Sequence, residues 1–129
     1  MEKGRVFISH STNDTDWARS FAQALKKLGV AVWFDESDSR VGESGRDALE
    51  LGLRSSDVLV TLLDADSSSR PNLYFELGAA IGMGKQVVPI VPQGTDPNIL
   101  PLNVRSRPYL IRDTPEHTAE ELSNALEAA

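Results

Sequence analysis

The sequence predicts a doubly wound α/β fold, a five-stranded parallel sheet in the order 2-1-3-4-5 with helices on both faces. Three observations carry that expectation. Short apolar runs alternate with helical patterns along the 129 residues. The first four runs are apolar at successive rather than alternate positions, as in strands covered on both sides. The resulting order, β-α-β-α-β-α-β-loop-β-α, builds one parallel sheet through right-handed crossovers.

The strands are expected at residues 5–9, 30–34, 58–63, 87–91 and 109–111. Trp17, Phe21, Leu25 and Leu28 share one stripe of a first helix, with Ser11-x-x-Asp14 as a capping box and Gly29 as the stop. Ser44 can cap a second helix through about Ser55. Pro71 suits the first turn of a third helix ending at Gly84, and Thr114-Pro115 opens a last one with Ala119, Leu122 and Leu126 on one face. Pro89 places the fourth strand near an edge, because proline cannot donate to a ladder. Pro92 to Pro101 reads as a long surface loop, and residues 1–129 as a single domain that can be part of a larger protein.

Composition removes several classes of function. There are no cysteines, hence no disulfides or thiolate metal sites, and a reducing, cytoplasmic setting fits. Thirteen basic against nineteen acidic residues give a net charge of −6, which speaks against direct nucleic-acid binding. No apolar run approaches the ~20 residues of a membrane span, and Met1 to Gly4 lead into a strand rather than a signal peptide. His10 and His117 lack a clustered ligand set, so no metal is expected.

In such a sheet ligands bind beyond the C-terminal ends of the strands, where strand order reverses. That points to Ser9–Asp14, Asp35–Gly45, Asp64–Arg70 and the start of the third helix. No glycine-rich turn follows the first strand, so neither a dinucleotide fingerprint nor a P-loop is present. A phosphoacceptor domain of this topology needs acidic residues there, and the chain has Ser9, His10 and Ser11.

With Leu73 at zero and about 100° per residue, Leu77, Ala80 and Ile81 form the core stripe of the third helix, from about −20° to +80°. Glu76 falls near −60°, just off the stripe, with Asn72 one turn earlier on the same flank and Phe75 near 200°, away from the core. A carboxylate at that boundary is either a surface residue favoured by the helix dipole or a partly desolvated functional group. Gly78 and Gly82 suggest close packing of this helix on the sheet. Arg40, in a polar, acidic loop, can meet a phosphate bidentately or balance its acidic neighbours. Trp33 and Phe34 close the second strand as core residues, one of which can also give a ring a stacking face.

At these positions the chain resembles the TIR (Toll/interleukin-1 receptor) domains of the bacterial branch. Val6–Ser11 (VFISHS) resembles their opening box. Trp33-Phe-Asp35, running on to Gly42, resembles their second strand and BB loop. Arg54–Val58 (RSSDV) is similar to the approach to strand three, and Pro71–Gly78 (PNLYFELG) with Gly84–Ile90 (GKQVVPI) to the third helix and fourth strand. The boxes run in order from residue 5 to about 91. Two positions depart from the family pattern. Asn72 stands where catalytic members often carry tryptophan, and Val41 stands where proline is common before the loop glycine.

The resemblance implies two functions, cleavage of NAD by a glutamate on the third helix or non-catalytic association with other TIR domains. It makes Glu76 the catalytic residue. Breaking the nicotinamide–ribose bond passes through an oxocarbenium-like state, and the pyridinium leaves without protonation. One carboxylate beside the ribose then suffices to stabilise the developing charge. Asn72 would assist by hydrogen bonding. Ser9, His10 and Arg40 would hold pyrophosphate and ribose, and Trp33 and Asp35 would complete the substrate wall. NAD is then substrate and no cofactor is needed. The resemblance further implies self-association, a sensor domain or partner subunit, and a role in bacterial defence. The expected activity is therefore an NAD nucleosidase releasing nicotinamide and ADP-ribose or a cyclic form. An adaptor module ranks second. Third is a nucleoside deoxyribosyltransferase-like enzyme, a family that also carries a helical glutamate in a segment resembling Phe75–Ala80.

Overall fold

The computed structural model describes residues 4–33, 52–63, 73–96, 98 and 107–128. It contains β1 (Val6–Ser9), α1 (Thr15–Lys27), β2 (Val32–Trp33), β3 (Val58–Leu62), α2 (Leu73–Gly82), β4 (Gln86–Val91), β5 (Leu110–Ile111) and α3 (Pro115–Ala128). The strands form one sheet in the order β2-β1-β3-β4-β5, and every neighbouring pair is parallel, as the sequence predicts. Phe34, the loop of Arg40 and Gly42, the Ser44 cap and Pro71 lie outside the described residues, as does most of 97–106.

Strand alternation divides the core in two. Val6, Ile8, Val58, Val60, Leu62, Val88 and Ile90 face one side, where they meet Phe21 and Leu25 of α1 with Ala119 and Leu122 of α3. Phe7, Leu59, Leu63, Val87 and Val91 face the other, covered by Leu53 and by Leu77 and Ala80 of α2. Burial on both faces explains why the strands read as unbroken apolar runs. Pro89 pairs with Thr61 of β3. β5 pairs with β4 only at Ile90 and Val91, so the missing N–H of Pro89 interrupts no ladder there.

Helix ends account for most departures from the expected pattern. Gly29 stops α1 with φ +83°, a left-handed conformation that glycine adopts at little cost. Leu28, expected on the core stripe, is the C-cap of α1 and is exposed, because the chain leaves the helix before the stripe continues. Ile81, in the last turn of α2, is exposed for the same reason. Gly78 and Gly82 are also exposed, and an added Cβ at either would meet nothing among the described residues. They do not pack on the sheet. The helical geometry that puts Leu77 and Ala80 inside turns both glycines away. Ser11, expected to open the first helix in a capping box with Asp14, is not its N-cap, which is Asp14 itself. Thr12–Asp14 make a 3-10 turn, and Asp14, the N-cap, makes no side-chain capping bond. The last helix does start as expected, with Thr114 Oγ1 accepting the His117 N–H at 3.1 Å. No helix among the described residues is long and apolar enough to cross a membrane.

Candidate functional site

Parallel register lays side chains of neighbouring strands in rows across the sheet, and two rows on the α2 face define the ground of the site. The lower is apolar. Phe7 pairs with Trp33 and Leu59, and Leu59 pairs with Val87. One pleat further toward the strand C-termini, Ser9 pairs with Thr61, and Thr61 with Pro89. Ser9 is 5% exposed and Thr61 is fully buried, so the row that succeeds the apolar one is polar and largely removed from water. Buried hydroxyls need partners, and neither residue lacks an interaction in the fold.

α2 connects β3 to β4, and because those strands are parallel it must run back against them. Its first turn therefore lies at the C-terminal end of the sheet. Glu76 falls in that turn, directly before Leu77 and one turn before Ala80, both of which are buried against the α2 face. The backbone thus carries Glu76 to the end of the sheet at which the row of Ser9 and Thr61 emerges. Its side chain, with Asp35, Arg40 and Asn72, lies outside the described residues.

His10 continues directly from β1 and is half-buried. Its Nδ1 lies 2.8 Å from the Ser11 carbonyl oxygen. A carbonyl only accepts, so Nδ1 carries a proton, and in the neutral ring the buried Nε2 is an acceptor. Trp33 is half-buried and packs with Phe7 in the core on this face. Gly52 permits that placement, since a Cβ there would sit 3.0 Å from Trp33 Nε1 and 3.2 Å from Phe7 Cε1.

Of the residues singled out in the sequence, Ser9 and Trp33 belong to the same face as α2, and His10 to the loop at its end. Thr61 was not foreseen. A threonine inside Val58–Leu63 looks like one more β-branched strand former, and only its register with Ser9 reveals it as polar ground.

Comparison with known proteins bears on the family and the fold. The family model described as TIR domain matches residues 6–126. The 2' cyclic ADP-D-ribose synthase AbTIR of Acinetobacter baumannii is 29% identical over 126 residues, which cover 94% of this chain and 47% of that protein. The NAD(+) hydrolase TcpC of Escherichia coli is 34% identical over 76 residues, covering 58% of this chain and 25% of that protein. The chain thus spans less than half the length of either relative. The crystal structure of the TIR domain of the Toll-related receptor TRR-2 from Hydra magnipapillata has a TM-score of 0.66 at 15% identity. It covers 95% of this chain and 91% of that one, and it shows the shared fold.

Proposed function

The chain belongs to the TIR domain family, and from that premise we propose that it cleaves NAD, releasing nicotinamide and ADP-ribose or a cyclic form of it. The observation that carries this reading is the placement of Glu76 in the first turn of α2, at the end of the sheet where the row of Ser9 and Thr61 emerges. Relatives matched along this chain are named for NAD hydrolysis and for cyclic ADP-ribose synthesis.

The chemistry suits one carboxylate. As the C–N bond to nicotinamide lengthens, positive charge grows on the ribose, and the pyridinium departs as a neutral base without a general acid. Glu76 stabilises that charge, as one carboxylate oriented beside the ribose can. Ser9, His10, Arg40 and Asn72 hold the dinucleotide by hydrogen bonds and charge, and Trp33 and Asp35 close the wall. NAD is the substrate, and no further cofactor enters. Attack by water gives ADP-ribose, and attack by a hydroxyl or ring nitrogen of the same molecule gives a cyclic product.

Residues 1–129 act in this reading as one TIR domain in the cytoplasm. It is activated by self-association and by a sensor domain or partner subunit, as part of bacterial defence. The test is incubation with NAD over protein concentrations from nanomolar to high micromolar, with products resolved by chromatography. Nicotinamide release whose specific activity climbs with concentration is the expected result. Intact NAD at every concentration, together with stable pairing to another TIR domain, would replace the enzyme by an adaptor.

A further inference from the structure

We infer that Arg112 is a positioning residue, which holds the His10–Asp14 segment in place and through it shapes the substrate wall beside Ser9; its effect on substrate rests on the NAD-cleaving reading above. Arg112 follows β5, and its N–H donates to the Val91 carbonyl at 2.8 Å, so its backbone is tied to the sheet. From there the side chain reaches across the face that carries α1 and α3. Its Nη1 lies 2.9 Å from Asp14 Oδ1, with only 24% and 15% of the two side chains exposed. The guanidinium carbon lies 4.7 Å from the centroid of the Trp17 ring. That ring is itself fixed, since its Nε1 donates to the Asp113 carbonyl at 3.1 Å and it stacks on the buried Phe21.

Asp14 passes the constraint on. Its Oδ2 takes a long contact of 3.4 Å from Ser11 Oγ, and its N–H donates to the Ser11 carbonyl at 3.1 Å. The same carbonyl receives His10 Nδ1. A chain of contacts therefore runs from Arg112 through Asp14 and Ser11 to His10, the residue after Ser9.

Two features make this more than a surface ion pair. Asp14 is the N-cap of α1, a position where aspartate ordinarily accepts a helix N–H, yet its carboxylate is turned to Arg112 instead. A local rule given up in favour of a contact 98 residues away is what functional sites show. The pair is also partly desolvated, so its net contribution to stability is small compared with its effect in fixing one geometry. Arginine suits the task because its planar fork binds the carboxylate while its face lies on the indole.

The experiment combines amide hydrogen exchange with steady-state kinetics on Arg112→Gln and Arg112→Lys, at concentrations where the wild type is assembled. In Arg112→Gln, exchange in the His10–Asp14 segment should quicken roughly tenfold more than in β3 and β4. KM for NAD should rise roughly five- to tenfold while kcat stays within about twofold, since loosened binding acts on both ground and transition states. Arg112→Lys keeps the charge and should recover part of both effects. Exchange that quickens uniformly over the chain, or not at all in His10–Asp14, overturns the inference, as does an unchanged KM. A wild type that turns over no NAD sinks the enzymatic reading, and the exchange pattern alone then decides the role of Arg112.

Discussion

Ser9 and Thr61 stand in register on neighbouring strands, both buried, on the sheet face that α2 covers. Threonine and valine have nearly the same shape, so exchanging them isolates the hydroxyl. Thr61→Val should cost about 1 kcal/mol or less of stability, the net worth of a typical hydrogen bond. On the proposed reading it should slow nicotinamide release by roughly tenfold, equivalent to about 1.4 kcal/mol in the barrier. Thr61→Ser, which keeps the hydroxyl and loses a methyl, should retain more activity than Thr61→Val while unfolding at lower denaturant. If the valine variant is as active as wild type and the serine variant is the impaired one, Thr61 is packing and not part of the site.

Glu76→Gln removes one negative charge and keeps the shape. Rate should drop roughly a hundred- to a thousandfold, as when one oriented electrostatic group is lost. Stability should change by no more than about 1 kcal/mol, the value of a carboxylate near a helix start. Nicotinamide release at equal folded concentration is the measurement. Equal turnover by the two proteins would remove Glu76 from the chemistry.

Gly52→Ala tests the seat of Trp33. The new Cβ would lie 3.0 Å from Trp33 Nε1 and 3.2 Å from Phe7 Cε1, so the indole must shift. Gly52 is helical, and alanine is worth up to about 1 kcal/mol there. Overpacking typically costs about 1–3 kcal/mol. A net destabilisation of about 1 kcal/mol in urea unfolding is expected, with altered tryptophan emission. A stabilised variant with unchanged emission would mean that the indole has room to spare.

Thr114→Ala should lower stability by about 1 kcal/mol through loss of the α3 cap. Thr114 Oγ1 accepts the His117 N–H at an exposed site, so little packing is disturbed. Thr114→Ser should restore most of the loss, and NAD turnover by folded protein should be unaffected. No change on alanine substitution would assign the helix start to Pro115 alone.

The sheet was legible because burial on both faces leaves an unbroken apolar signature in each strand, and the stripe of α2 was legible at Leu77 and Ala80. What failed to show was governed by neighbours distant in sequence or by where helices stop. Leu28 and Ile81 continue the apolar period on paper but sit in final turns, beyond the reach of the sheet. The capping box expected at Ser11 and Asp14 followed a local pattern, whereas Asp14 is itself the N-cap and its carboxylate meets Arg112, 98 residues away. Thr61 hid among strand formers. Ser9, His10 and Trp33 were chosen by position relative to strand ends, which a parallel fold makes informative.

The parallel register also governs how the chain must fold. Every paired residue in the sheet has its partner at least 20 positions away, and β1 finds β3 across 52. Among the described residues no hairpin serves as a local nucleus, and loop-closure entropy must be met before any of these strand pairs forms. α1 can form early from its own sequence, but the β1–β3 pair at the centre gains its hydrogen bonds only once about half the chain has been drawn together. Refolding should therefore be slow for a chain of this size. Mutations at β1 and β3 should act on the folding rate, whereas those in α3 should act on unfolding.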